Sequence, residues 1–526
     1  MLLSHTTCST RETTVSTTPR SAPLDRGRGG RRAPDRRAGS RRGLALVLLC
    51  TAQFMVVLDG TIINVALPTI QQALDLSPEN LQWIVTAYAL TFGGFLILGG
   101  RLGDLFGRRR ALIAGLVLFS VASLVGGLAP SGGVLIAARA LQGLGGALAS
   151  PAALSLLTTT FREGGERNRA LGIFGGIAAS GFAAGVLLGG ALTATVGWRW
   201  VLFVNVPIGV LAALAAPALL AESRTRGSRH IDLAGAFALT AGLVALVYGV
   251  TSVERAGLSS AVTLGTLALA VVLLGAFVVV QRRARQPLVR LGIFANRSLT
   301  AANVLGMLVP GTFGLTLFVL TLHLQQVLAY GVLLTGVAFL PMAVVVIVVS
   351  NVAARFVGRL GVKAIMVAGS AVMAAALAWF ATGVPAGTNY WTDLLPAMVG
   401  VSVGFGLAVN GATIASVAGV SDDEQGLASG LFNSAGQIGA ALVLAVGVVV
   451  SSARTATLRA AGTPGPAALV GGFSWAFAVG AACVLVAALV ALLVARTDEC
   501  QRAARRLAEP DQRARFLAEC RTNATR

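Results

Sequence analysis

From Leu44 to about residue 495, apolar runs long enough to cross a bilayer as helices alternate with short polar links. The pattern predicts spans at 44–67, 81–103, 111–129, 134–158, 169–193, 199–220, 233–253, 262–281, 300–323, 333–351, 363–383, 393–418, 426–450 and 472–495. Residues 1–43 are rich in Arg, Thr and Pro without apolar periodicity, which predicts a disordered basic tail. Residues 496–526 form a second polar tail. The predicted fold class is an all-α membrane protein with fourteen transmembrane helices. Ser40-Arg41-Arg42 superficially resembles a twin-arginine signal. No small-residue cleavage site follows and the apolar run is too long, so these arginines read as an anchor for the first helix end.

Composition agrees with the pattern. Of 526 residues 55% are hydrophobic and 12% charged, where a soluble domain carries about 25% charged residues. The net charge of +20 raises the question of a nucleic-acid partner. The arginines, however, sit in short clusters between apolar runs and form no basic face with interleaved aromatics, so no nucleic acid is expected. Cys8, Cys50, Cys483, Cys500 and Cys520 include no C-x-x-C pair, so neither a disulfide framework nor a zinc site is indicated. With three histidines and no H-E-x-x-H, no metal is expected. No catalytic cluster is visible, which argues against an enzyme.

The placement of charge predicts orientation. Arg108 to Arg110, Arg162 with Arg167 and Arg169, Arg224 to Arg229, Arg282 to Arg290, and Arg355 to Lys363 all fall on one side of the membrane, with both tails. That side is expected to be the cytoplasm, with the chain a multi-pass protein of the cell membrane and the lipid bilayer its first partner. One link resists: Ser421-Asp422-Asp423-Glu424 belongs on the arginine side yet is acidic, and Arg454 and Arg459 lie opposite.

The chain also repeats itself. Arg101, Gly107 and Arg109 recur as Arg355, Gly361 and Lys363 at one constant offset. Glu166, Gly172 and Phe174 recur as Glu424, Gly430 and Phe432 at nearly the same offset. The expected organisation is two parallel six-helix halves, 44–220 and 291–495, with two inserted helices and linkers at 221–290. Such repeats build transporters that rock about a central site; a channel or an anchored enzyme does not need them.

Asp59 is the leading chemical candidate, because a charged aspartate inside a span costs about 2.5–3.5 kcal/mol on insertion scales. It should face a cavity or the bundle interior, where it either couples proton or substrate movement or caps a neighbouring helix. Arg139 lies about 8 Å deep in the fourth span and Asp59 about 14 Å below the outer end of its own helix, by helical rise. The two are close enough in depth to meet; alternatively Arg139 ties helices together. Gly100, Arg101, Gly103, Asp104, Gly107, Arg108 and Arg109 form the tight link between spans two and three. Its glycines allow the turn, and Asp104 can neutralise local arginines or sit at another helix's N-terminus. The acidic Asp422, Asp423 and Glu424 are candidates to pair with Arg101 or Arg108 across the halves. Gly181, Gly185, Gly189 and Gly190 place small residues on one face of span five, which suits close packing. Gln142, Asn205, Asn303, Asn410, Asn433 and Gln437 are polar residues within spans, either lining a cavity or bonding between helices. His323 reads as interfacial.

Four segments together carry a family resemblance over residues 44–495. Leu58-Asp59-Gly60-Thr61-Ile62-Ile63-Asn64-Val65-Ala66-Leu67-Pro68 resembles the first-helix signature of the fourteen-helix drug:proton antiporters (EmrB/QacA type) of the major facilitator superfamily. Gly100 through Arg110 resembles the superfamily's loop motif between helices two and three. Arg139-Ala140-Leu141-Gln142-Gly143 resembles its fourth-helix motif, and Trp198 through Pro207 the usual start of helix six. The resemblance implies the major facilitator fold (6+2+6) and proton-driven export of a hydrophobic or cationic small molecule. No cofactor is implied beyond the proton gradient as energy source, and the chain is expected to work as a monomer. Asp59 would carry the proton or the substrate's charge and Arg139 would assist, with Gln142 and Asn64 beside them. In one departure, the fifth-helix motif has proline after its second glycine where this chain has Val186, which removes a kink. An ATP-driven pump would need G-x-x-x-x-G-K-[S/T], which the chain lacks. A proton-coupled importer, or a transporter of one specific metabolite, shares the same residues.

Overall fold

The computed structural model describes residues 36–161, 164–223, 232–284, 287–382, 388–420 and 424–495. Within them lie fourteen helical spans long and apolar enough to cross a membrane, and no strand. The chain is a multi-pass membrane protein. Its first group comprises α1 (Arg36–Ala73), α2 (Pro78–Phe106), α3 (Arg108–Gly127), α4 (Gly132–Thr160), α5 (Gly165–Thr195), α6 (Trp200–Phe203) and α7 (Asn205–Leu219). Two helices follow, α8 (Leu233–Ala256) and α9 (Ala261–Arg283). The last group comprises α10 (Arg297–Leu322), α11 (Val332–Ala338), α12 (Leu340–Leu360), α13 (Val362–Ala381), α14 (Leu395–Val417), α15 (Gln425–Ala460) and α16 (Gly465–Val494).

Helices outrun the apolar pattern at several ends. Residues 36–43, expected in the disordered tail, begin α1; residues 1–35 lie outside the described region. The same helix continues through Pro68 to Ala73, and Gln71 Nε2 donates to the Leu76 carbonyl, tying its end to the next link. α15 reaches Ala460, ten residues past its predicted end, with Thr455 and Thr457 hydroxyls bonding back to their own helix. Hydropathy measures the thickness of the apolar slab, whereas a helix stops only where its backbone bonding stops.

Two spans are broken, and proline explains both. Pro207 lacks the N–H that would bond the Phe203 carbonyl, and the chain turns at Val204 between α6 and α7. Pro341 does the same to Val337, separating α11 from α12 at Phe339.

In the first group α2, α3 and α4 pack together, and α1 lies against α4, α5 and α7. In the last, α14, α15 and α16 lie against α10, α13 packs on α14 and α16, and α15 also packs on α16. The groups meet along two seams, α2 with α15 and α5 with α11 and α12. α8 and α9 pack on each other, and α8 rests on α2 and α15. At the first seam Gly93 faces Ser434 and Gln437 while Gly430 faces Ile97. The two helices therefore run antiparallel, and the start of α15 shares a bundle end with the α2–α3 link.

Candidate functional site

Asp59 lies midway along α1 and is fully buried, at 0% exposure. Arg139 and Gln142 sit three residues apart on α4, hence on one face of it, and that face meets Asp59. Arg139 Nη1 donates to Asp59 Oδ2 (2.5 Å) and to Gln142 Oε1 (2.9 Å). Gln142 Nε2 donates to Asp59 Oδ1 (3.1 Å) and to the Ser123 hydroxyl on α3 (2.6 Å). The second donor to Asp59 Oδ1 is Asn205 Nδ2 (2.8 Å), delivered from the first residue of α7 just past the break at Val204. Arg139 is itself held by the Ile84 carbonyl of α2, to which its Nε donates (3.0 Å), and its guanidinium lies 4.4 Å from the Tyr88 ring centroid. The carboxylate thus draws on α1, α4 and α7, and its arginine on α2.

This set is a neutral, almost completely satisfied ion pair sealed from solvent; Arg139 is only 1% exposed. Removing one partner of such a pair leaves an uncompensated buried charge and costs about 3–5 kcal/mol. Protonating Asp59 would likewise leave the Arg139 charge uncompensated. One loose end exists: among the described residues Asn205 Oδ1 is buried without a hydrogen-bond partner.

Of the residues singled out from sequence, Asp59, Arg139 and Gln142 come together. Asn64 does not join them: its amide donates to Gly60 and Thr61 carbonyls of its own helix. Asn303, Asn410 and Asn433 likewise bond back one turn along their own helices. Asn205 had no special claim among the in-span polar residues, and Ser123 and Tyr88 carried no signal, because only the fold brings α2, α3 and α7 against α1. His323 is buried rather than interfacial, set edge-on to Phe473 (6.1 Å) where α10 widens into a π-turn.

In the α2–α3 link, Gly107 takes φ +114, a conformation that favours glycine. Asp104 neutralises a local arginine, accepting from Arg108 Nε (2.9 Å) and Nη2 (2.8 Å). Gly103 packs near Ala111, and Gly100 near Pro151. Arg101 makes no ion pair among the described residues. Arg109 is held by Glu222, a residue the sequence reading passed over. The Glu222 carboxylate accepts from the Arg109 backbone N–H (3.1 Å) and lies near Arg109 Nε (3.7 Å) and Arg110 Nε (3.8 Å). At Glu424 the described ion pair is with Arg290 (3.0 Å), in the link before α10, rather than with Arg101 or Arg108. Asp422 and Asp423 lie outside the described residues.

The glycines of α5 divide between two neighbours instead of sharing one face. A Cβ on Gly181 would meet Val57 (3.1 Å), on Gly185 the Ile62 nitrogen (3.2 Å), and on Gly189 the Ile62 carbonyl oxygen (2.6 Å), all on α1. Gly190 instead lies against Val332 O (3.0 Å) of α11. α5 is unbroken through Val186, whose carbonyl oxygen would lie 2.6 Å from a Cβ on Gly336. Near this seam, rings from both groups meet: Phe182 of α5 lies 5.6 Å from Phe313 of α10, which stacks on Phe405 of α14 at 4.2 Å. At the bundle end opposite the α2–α3 link, Gln325 Nε2 donates to the Val65 carbonyl (3.0 Å) and Gln326 Nε2 to Gln71 Oε1 (3.2 Å), clasping the two groups.

A family model described as the Major Facilitator Superfamily matches residues 49–444. The chain is similar to the puromycin resistance protein pur8 of Streptomyces alboniger, with 41% identity over 87% of this chain and 92% of the relative. It is also similar to the cephamycin export protein CmcT of Amycolatopsis lactamdurans, at 40% identity over 78% and 85%. The multidrug resistance protein Stp of Mycobacterium tuberculosis (strain ATCC 25618 / H37Rv) is 33% identical over 79% and 77%. Among solved structures, an inward-facing, occupied bacterial homologue of the human lysosomal transporter Spinster shares the fold, with TM-score 0.62 and 16% identity over 87% of this chain and 97% of that one.

Proposed function

The chain belongs to the major facilitator superfamily, and from that premise we propose that it is a proton-coupled antiporter exporting small hydrophobic or cationic compounds, antibiotics among them, by alternating access. The observation that carries this reading is the Asp59–Arg139 pair, sealed from solvent and held by α1, α4 and α7. A carboxylate in that position is expensive to maintain unless its protonation is used. Proton uptake at Asp59 unpairs Arg139, and the rearrangement favours one orientation of the two halves over the other. The names of the relatives support antibiotics as cargo.

In this reading residues 44–220 and 291–495 rock against each other along the α2–α15 and α5–α11 seams. The inserted helices ride at the first seam. The arginine-rich links and both termini face the cytoplasm, and the protein works as a monomer in the cell membrane. The stacked Phe313 and Phe405, with Phe182, form an apolar, π-rich surface between the halves suited to hydrophobic or cationic cargo. A narrower reading, export of one specific compound, draws on relatives named for a single substance, puromycin or cephamycin.

Everted membrane vesicles holding a preformed proton gradient provide the test. Puromycin, lincomycin, a cephamycin and a cationic dye are added in turn, and at least one is expected to dissipate the gradient with wild type and none with Asp59→Asn. Response to one compound alone selects the narrower reading. A response that survives in Asp59→Asn, or no response to any compound, overturns the assignment.

A further inference from the structure

Arg454 runs against the charge pattern of the chain. It lies near the end of α15, at the bundle end opposite the arginine-rich α2–α3 link. Among the described residues it forms no ion pair, and its Nε is buried without an acceptor. Its guanidinium lies 5.8 Å from the Trp475 ring centroid, within cation–π range. The sealed Nε–H has lost the hydrogen bond that water would give it, and the charge has no acidic partner among the described residues, so an anion at the outer guanidinium nitrogens is favoured.

Space for one exists. A cavity of about 270 Å³ opens beside the guanidinium, lined by Thr382, Arg454, Gly471, Ser474, Trp475 and Ala478. The Thr382 and Ser474 hydroxyls already donate within their own helices, to Trp379 O (2.7 Å) and Val470 O (2.9 Å). Arg454 is therefore the charged donor among the cavity's lining residues, and its planar fork suits phosphate oxygens. Among the described residues no carboxylate lines the cavity to receive an ammonium group. Asp393, at the same bundle end, has its oxygens taken by the Asn389 N–H and the Thr392 hydroxyl, each at 3.0 Å.

The surroundings indicate where such an anion comes from. Trp475 is 52% exposed and lies on the same face of α16 as the exposed Ala478, Ala482 and Val486, which reach to about the middle of the bilayer. That apolar stripe is a surface for acyl chains, and a tryptophan at its end marks the level of the headgroups. A lipid lying along the stripe brings its phosphate to Arg454. We propose that Arg454 and the cavity beside Trp475 bind the phosphate of an anionic phospholipid in the leaflet at that end of the bundle.

Native mass spectrometry of the full-length protein, titrated with phosphatidylglycerol, phosphatidylcholine or free glycerol phosphate, tests the proposal. Wild type is expected to prefer phosphatidylglycerol over both other probes. Arg454→Gln should weaken that binding about tenfold, the size of one charge-assisted hydrogen bond. Arg454→Lys should fall between, since it keeps the charge without the planar fork, and Arg459→Gln, on the same helix, should bind as wild type. A melting temperature near that of wild type establishes that each variant is folded, and Arg454→Lys serves if Arg454→Gln is not. Unchanged phosphatidylglycerol binding in both Arg454 variants overturns the site. Equal affinity for phosphatidylcholine overturns the anionic class, and glycerol phosphate binding as tightly as the lipid overturns the lipid source.

Discussion

At the scale of single residues, Asp59 is held by one charge and two amides, and these contribute unequally. Arg139→Gln leaves a buried carboxylate without its cation, whereas Asp59→Asn with Arg139→Gln removes both charges. The double variant is therefore expected to unfold at a higher temperature than Arg139→Gln alone, with a coupling of up to about 3 kcal/mol in a double-mutant cycle. Additive single effects would show that the pair is not formed. Asn205 supplies one of the two amide bonds to Asp59. Asn205→Leu, similar in size but unable to donate, should lower transport about tenfold, the order of one hydrogen bond to a charged group. Asn64→Leu should change it far less, because Asn64 bonds only to its own helix among the described contacts. Uptake and efflux rates in vesicles, normalised to protein present, distinguish the two.

At the scale of elements, glycines decide how closely helices approach. Gly189 lets α5 lie on the α1 backbone beside Ile62, next to the segment that carries Asp59. Gly189→Leu forces those helices apart and should cost about 1–3 kcal/mol, read as a lower melting temperature together with reduced transport. Exposed ion pairs behave differently. Arg290 and Glu424 are solvent-accessible, so Glu424→Gln is expected to change stability by less than about 1 kcal/mol. A larger loss would mean that this link bears more of the packing than its exposure implies.

At the scale of the whole molecule, the two groups touch along two seams and are clasped at one end by Gln325 and Gln326. The alternating access proposed above requires that clasp to open once per cycle. In a background with the five native cysteines replaced, Gln71→Cys with Gln326→Cys places one thiol on each side of this contact, to be joined by a short bis-methanethiosulfonate cross-linker, because a cysteine sulfur stops short of where the two amides now meet at 3.2 Å. Cross-linking is expected to stop transport, and reduction of the linker's disulfides to restore it. Transport that continues with the bridge formed would show that this end does not move.

Much of this was legible in the chain. Fourteen spans follow from hydropathy, because the bilayer demands a run of apolar residues wherever a helix crosses it. Asp59 and Arg139 stand out because charge inside such a run is costly, and their matching depths followed from helical rise alone. Periodicity along one helix says nothing about which other helix it faces. That is why Asn205, Ser123 and Tyr88 acquired their places around the pair only once α7, α3 and α2 were packed on α1 and α4. For the same reason Glu222 took Arg109, Glu424 took Arg290, and the α5 glycines divided between α1 and α11. That Asn64 does not bond Asp59 was already in the helix, since five residues place it about 140° round α1. What the sequence determined by itself is what each residue requires of the membrane. Which neighbour satisfies that requirement is a matter of distances between helices far apart in the chain, and only the tertiary structure decided it.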